Sequence, residues 1–291
     1  MTDTNKEHFA LKYLRKDRLP LMFCSGCGIG TVINSACKTF DKIELNMKDT
    51  VLVSGIGCSS RIPGYFECDS IHTTHGRALA FATGLKTFNP NLNIITFTGD
   101  GDCSAIGGNH LIHACRRNID ITVICINNNT YGMTGGQYSP TTPTGKKGTT
   151  APYGNPERPF DLCNLVEAAG ASYVARWTTT HPIQLARAIE KGMKTKGFAF
   201  IEVVAQCHTN YGRINGIKTN VELVELIKNS AISINKAKNM TNEELEGKVI
   251  IGEFVNKEQP EYTEQIYKII KNECVVDKEE ENEENKKEGK Q

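Results

Sequence analysis

The chain has 291 residues, with 34 Lys and Arg against 33 Asp and Glu, so its net charge is +1. That balance excludes the basic surplus by which nucleic-acid and membrane-surface proteins hold their partners. With 39 % hydrophobic and 23 % charged residues, the composition also excludes a disordered or fibrous chain.

In chain order, residues 8–23 read as a helical or extended lead-in ending at Leu19-Pro20. A turn-rich Cys24-Ser-Gly-Cys27-Gly-Ile-Gly30 loop and a helix near Thr31–Phe40 follow. Val51–Ser54 reads as a buried strand feeding a loop at 55–66. A helix over Gly76–Phe88, stopped by Pro90, precedes a second strand at Ile94–Thr98. A loop at 99–109, a helix at His110–Arg117 and a third strand at Ile121–Ile126 come next. After a long Gly/Pro/Thr-rich stretch at 129–160, helices at Asp161–Ala169 and Pro182–Lys194 alternate with strands at Tyr173–Trp177 and Phe198–Ala205. Continuous apolar strands alternating with helices predict an α/β fold, a mostly parallel sheet covered by helices on both faces. Ligands bind beyond the carboxyl ends of such strands, where the glycine-rich loops at 55–66, 99–109 and 127–149 lie.

One domain is expected over 1–276, with a disordered charged tail at 277–291, which contains no apolar residue. No run approaches the roughly 20 apolar residues of a membrane span. The N-terminus lacks the apolar core of a signal peptide, so a cytoplasmic location is expected. Eleven cysteines, an odd number, do not suit a disulfide framework there. Metal ligation for some and packing for the rest is the expectation.

The most informative segment is Ile-Ile-Thr-Phe-Thr-Gly99-Asp100-Gly101-Asp102, followed by a helix and a strand ending in Asn127-Asn128-Asn129. The glycines let backbone approach a ligand closely. One carboxylate at Asp100 and one amide oxygen at Asn128, each closing a strand, suit Mg²⁺ bridging a diphosphate. A dinucleotide fingerprint is excluded by Ser104, and a P-loop before Gly145-Lys146 by Pro140. Cys24-x-x-Cys27 is a metal or redox signature, but spacing does not choose its partners among the other cysteines.

The Gly-Asp-Gly and Asn-Asn pair resembles the thiamine diphosphate motif. With SGIGCSSRIPGYF (54–66), THGRALAFATGLK (74–86), GDGDCSAIGGNHLIHACRRN (99–118) and NNNTYGMTGGQYSPTTPTG (127–145), the chain is similar to the β subunit of 2-oxoacid:ferredoxin oxidoreductases from about Leu11 to Glu261. The lead-in at 13–32 most resembles the 2-oxoglutarate branch. The resemblance implies the following set. Asp100, Asn128 and the Thr130 carbonyl hold Mg²⁺. Ile56, Gly57, Cys58, Ser59, His75, Gly76, Gly101, Asp102, Tyr131, Gly132 and Met133 meet thiamine diphosphate. Arg61 meets the substrate carboxylate, and His75 is a catalytic candidate. Cys24, Cys27, Cys58 and Cys207 ligate a [4Fe–4S] cluster, with a four-cysteine zinc site as the rival.

The implied reaction is oxidative decarboxylation of a 2-oxo acid with coenzyme A, electrons passing through the cluster to ferredoxin. 2-Oxoglutarate is the expected substrate, with pyruvate, branched-chain acids or a non-redox thiamine reaction as alternatives. No glutamate for the aminopyrimidine ring falls in a matched motif, so an α subunit is expected to supply it with much of the coenzyme A site. Further γ and δ subunits are candidates, and no nucleic-acid or membrane partner is expected.

Overall fold

The structure, a computed structural model, describes residues 7–273. The tail expected at 277–291 and Cys274 lie outside the described residues. The architecture is one eight-stranded sheet. Its strands are β1 (Thr50–Ser54), β2 (Asp69–His72), β3 (Asn93–Gly99), β4 (Thr122–Asn127), β5 (Tyr173–Thr178), β6 (Ala199–Val204), β7 (Ala231–Ser233) and β8 (Val249–Asn256). They lie in the order β2-β1-β3-β4-β6-β5-β8-β7. Every pairing is parallel except β5 with β8. The mostly parallel, doubly covered sheet expected from the sequence is therefore present.

Period-2 alternation explains the two covered faces. Leu52, Ile95, Phe97, Ile124, Ile126, Ile201 and Val203 point to one side, where they pack with α1 (Ile29–Lys42) and α5 (Pro182–Lys194). Val51, Val53, Ile94, Val123, Cys125, Val174 and Phe200 point to the other. There they meet α2 (Ala78–Phe88), α3 (Gly108–Arg117) and α4 (Leu162–Ala168). Strands β1, β4 and β6 are buried along their whole length, and each fully buried Ile or Phe contributes roughly 1.5–3 kcal/mol. Cys37, Cys103, Cys115, Cys125 and Cys163 are buried packing residues, as expected.

Two local differences from the sequence reading matter for the site. The 99–109 stretch is helical from Asp100, with a wide π-type turn at Asp102–Ile106 that runs through Gly107 into α3. Its first turn therefore points N–H groups outward at the end of β3, where an anion is favoured. The 55–66 loop contains a 3₁₀ segment at Ser59–Tyr65. The strand order does the rest. β3 lies between β1 and β4, and β4 pairs with β6. So the segments carrying Cys58, Asp100, Asn128 and Cys207 leave the sheet side by side.

Candidate functional site

Two adjoining cavities open at the carboxyl edge of the sheet. The first is lined by Ile56, Gly57, Cys58, Ser59, His75, Asp100, Gly101, Asp102, Asn128, Thr130, Tyr131, Gly132 and Met133, among others. The second is lined by Cys24, Cys27, Cys58 and Cys207 with Met22, Phe23, Arg61, Asn128, Gly132, Met133 and residues 208–210. Cys58, Asn128, Gly132 and Met133 line both. The sequence-derived residues are thus gathered in one place, with one exception. Gly76 does not line the first cavity; it turns away at φ +72° and packs on Gly107.

The two aspartates of the Gly-Asp-Gly-Asp run have different surroundings. Asp102 is 3 % exposed and bonded to protein donors. Its Oδ1 accepts from the N–H groups of Ile56 at 3.2 Å and Gly76 at 2.7 Å, and its Oδ2 from the Thr98 hydroxyl at 2.8 Å. The carboxylate fills the space beside Gly55, where any side chain would collide with it. Asp102 therefore stitches the loop after β1, the turn before α2 and the end of β3 together. Its carboxylate is thereby committed to protein donors, although Asp102 also lines the first cavity.

Asp100 is 2 % exposed and accepts hydrogen bonds from Ser139 at 2.6 Å and Thr141 at 2.5 Å, both on Oδ2. Among the described residues no side-chain hydroxyl or amide donates to its Oδ1. Burial pushes its carboxyl up to about 6, against the pull of the two hydroxyls. A carboxylate held ionised at such a cost is suited to a cation. Asn128 beside it accepts from the Thr130 N–H at 3.3 Å, which folds the chain into a short turn. One hard carboxylate, an amide oxygen and backbone next to a helix's first turn fit Mg²⁺ with a diphosphate.

Tyr131 covers Gly101, where a Cβ would run into its ring. Burial and the charges of Asp100 and Asp102 push its hydroxyl up to about 12. The His75 ring is 3.9 Å from Asp102 through Nε2 and 6.0 Å from the Tyr131 ring centre.

The four cysteines surround the second cavity as free thiols. The 24–27 loop is tied to the end of β6: the Gly26 carbonyl accepts from the Gln206 and Asn220 side-chain amides, each at 3.0 Å. Gly28 lies so close to Ala205 and Gln206 that a Cβ would stand 2.9 Å from both. A Cβ at Gly132 would lie 3.6 Å from the sulfurs of both Cys58 and Cys207. Burial first, then the neighbouring Cys207, Cys27 and Cys24, push the Cys58 thiol up to about 11. Cys27 is raised by the same causes. A cation bound beside Cys27 and Cys58 would offset the causes that raise these two thiols, and binding it there would release protons. Among the described residues, no group of three or more His, Cys, Asp and Glu side chains is arranged to hold a metal ion. Arg61 is exposed at the rim of this second cavity.

Residues 55–203 match the thiamine pyrophosphate enzyme, C-terminal TPP binding domain. The 2-oxoglutarate synthase subunit KorB of Methanocaldococcus jannaschii is 60 % identical over 263 residues, covering 90 % of this chain and 97 % of that one. The chain belongs to this family of β subunits. KorB of Archaeoglobus fulgidus is 47 % identical over 257 residues, covering 88 % and 92 %. A solved 2-oxoglutarate:ferredoxin oxidoreductase from Magnetococcus marinus, with 2-oxoglutarate, coenzyme A and succinyl-CoA bound, aligns with TM-score 0.82 and 29 % identity. That alignment covers 93 % of this chain and 92 % of the solved one. The β subunit is thus part of a 2-oxoacid oxidoreductase, with a thiamine diphosphate-binding domain.

Sequence reasoning missed the residues that support this subunit's site. Ser139 and Thr141 sit in a Thr-rich loop with no pattern to mark them. Asn127 bonds Glu202, and Arg176 bonds Glu202 in turn. Here a signal existed: Glu202 and Arg176 interrupt otherwise apolar strands, which calls for a buried pair.

Proposed function

We propose that this chain holds thiamine diphosphate through Mg²⁺ on Asp100, Asn128 and the Thr130 carbonyl, and a [4Fe–4S] cluster on Cys24, Cys27, Cys58 and Cys207. In this reading it is the β subunit of a cytoplasmic complex that converts 2-oxoglutarate and coenzyme A to succinyl-CoA and CO₂, with ferredoxin as electron acceptor. The observation that carries the reading is the wall shared by the two cavities. Cys58 and Gly132 line both, so residues that would hold the cofactor and residues that would hold the cluster are shared between the two cavities.

Thiamine supplies the carbanion and electron-sink chemistry when bound; the protein binds, orients and excludes water. Asp100 and Asn128 would anchor the metal, and the first helical turn at 100–102 would receive the diphosphate. Arg61, exposed at the rim, would grip the substrate carboxylate with a two-bond fork. Among the described residues, the carboxylates lining the first cavity are Asp100 and Asp102. Neither is free to face an aminopyrimidine ring. This supports a partner α subunit that completes the site. No helix among the described residues is long and apolar enough to cross a membrane.

The test is an anaerobic visible spectrum of the complex purified from its host, before and after 2-oxoglutarate with coenzyme A. A broad iron–sulfur band that bleaches supports cluster, oxidation and substrate together. A band that bleaches only with pyruvate or a branched-chain acid reassigns the substrate. Absence of any band overturns the cluster assignment.

A further inference from the structure

A glutamate and an arginine sit at the centre of the sheet, where ionised groups are rare. Glu202 on β6 is 2 % exposed and Arg176 on β5 is 7 % exposed. They are directly paired across the two strands. Arg176 Nε donates to Glu202 Oε2 at 2.7 Å, and Arg176 Nη2 donates to Asp161 at 2.5 Å. Replacing such a pair with apolar residues often leaves stability unchanged or higher, so stability alone gives no reason for this one.

The other end of the pair leads to the metal-site candidates. Glu202 Oε1 accepts from Asn127 Nδ2 at 2.7 Å. An ionised carboxylate only accepts, so this bond fixes which way the Asn127 amide points. Its oxygen then faces the Asn129 N–H at 3.1 Å and the Thr141 hydroxyl at 3.0 Å. The first contact shapes the turn that presents Asn128, with Asn129 at φ +58°. The second meets the same hydroxyl that reaches Asp100. A flipped amide would turn an NH₂ toward the Asn129 N–H and an oxygen toward the Glu202 carboxylate, losing the contact that shapes the turn and the bond to Glu202.

We propose that Glu202, held by Arg176, is a positioning residue for the Asp100/Asn128 site, acting through the orientation of Asn127. The proposal rests on the reading of Asp100 and Asn128 as Mg²⁺ ligands. It predicts that the pair serves metal-dependent cofactor binding more than it serves the fold.

The experiment uses the full complex stripped of cofactor. Thiamine diphosphate binding is measured by calorimetry against Mg²⁺ concentration, with melting of the metal-free protein alongside. E202Q, whose side chain can place an NH₂ against Asn127, raises the half-saturating Mg²⁺ about 10- to 100-fold, the range for residues behind metal ligands. The R176M/E202L double variant removes both charges. It melts close to wild type yet keeps the raised Mg²⁺ requirement. R176K keeps the charge but loses the fork, and shifts the requirement in the same direction by less. A double variant that folds and binds at the wild-type Mg²⁺ midpoint overturns the proposal, as does an unshifted R176K. D100A runs in the same titration. If it binds the cofactor like wild type, the metal assignment itself has failed, which is a different outcome from a normal E202Q beside a defective D100A.

Discussion

Replacing Asp100 with Asn separates the cost of the site from its use. Burial raises the Asp100 carboxyl from the ordinary 3.8 to about 6. Two pKa units correspond to about 3 kcal/mol, by which the metal-free fold disfavours the ionised form at neutral pH. Asn carries no charge, so D100N escapes that penalty. Its amide must still suit the Ser139 and Thr141 hydroxyls, which rotate to accept, at a cost of about 1 kcal/mol. The net gain of about 2 kcal/mol corresponds to a melting temperature about 4–8 °C higher for the metal-free chain at pH 7.5. The sign with pH follows from the raised value. Above pH 6 wild type carries the full penalty; as pH falls through 6 Asp100 takes a proton and the penalty fades, about half of it gone by pH 5. The D100N advantage therefore shrinks on acidification, while other carboxylates, common to both proteins, cancel in the difference. Adding Mg²⁺ with thiamine diphosphate reverses the ranking, because only wild type gains stability by binding. The assay is thermal unfolding of both chains from pH 5 to 7.5, with chelator and then with Mg²⁺ and cofactor. An advantage that does not change with pH, or a D100N melt that rises with cofactor as wild type does, refutes the reasoning.

Asp102→Ala has the opposite sign without metal. It strips acceptors from Ile56, Gly76 and Thr98, so unfolding in denaturant should show a loss of about 3 kcal/mol; a loss below about 1 kcal/mol would mean the loops hold one another without it. Cys58→Ser should lower iron content and the visible band of anaerobically purified protein, whereas Cys68→Ser, outside the cavity lining, should change neither. Arg61→Ala should raise KM for the 2-oxo acid more than tenfold with a smaller change in kcat; steady-state kinetics in which kcat alone falls would move Arg61 away from ground-state binding.

How much of this was legible follows from burial and range. Strands β1 and β3 to β6 were readable because they are buried on both faces, and an apolar run is then the only stable choice. β2 was not: Asp69–His72 is largely exposed at the sheet edge and carries no apolar signal. Asp100, Asn128 and the CxxC loop stood out because glycine and chemistry-bearing residues cluster at strand ends. The partners of Cys24 and Cys27 came from resemblance, since the fold brings Cys58 and Cys207 beside them over long sequence separations. Ser139 and Thr141 lay beyond reach for the same reason, as hydroxyls about 40 residues from the carboxylate they hold. The 99–109 stretch was read as a loop because its glycines suggest one; the structure continues it as helix, and the glycines instead admit the Tyr131 ring beside Gly101 and the Asp102 and Cys103 carbonyls beside Gly107.

The Gly-Asp-Gly-Asp run shows why motif and geometry are separate arguments. Two carboxylates two residues apart on one helical turn face different ways. Asp102 looks inward and meets two N–H groups and a hydroxyl, so it fixes three loops and has nothing left for a ligand. Asp100 meets two side-chain hydroxyls, both on one oxygen, and backbone at Asp100 and Gly101, yet burial outweighs these and still raises its carboxyl. The tight loop shapes the cavity, and the buried charge would suit it to a cation. Neither aspartate could do the other's work, because loop closure needs acceptors that are already satisfied and metal binding needs one that is not. Exchanging the environments, by T98V to loosen Asp102 or S139A to expose Asp100, should therefore move stability in the first case and Mg²⁺ affinity in the second, and a shared response of both properties to both substitutions would show the two carboxylates acting as a single unit.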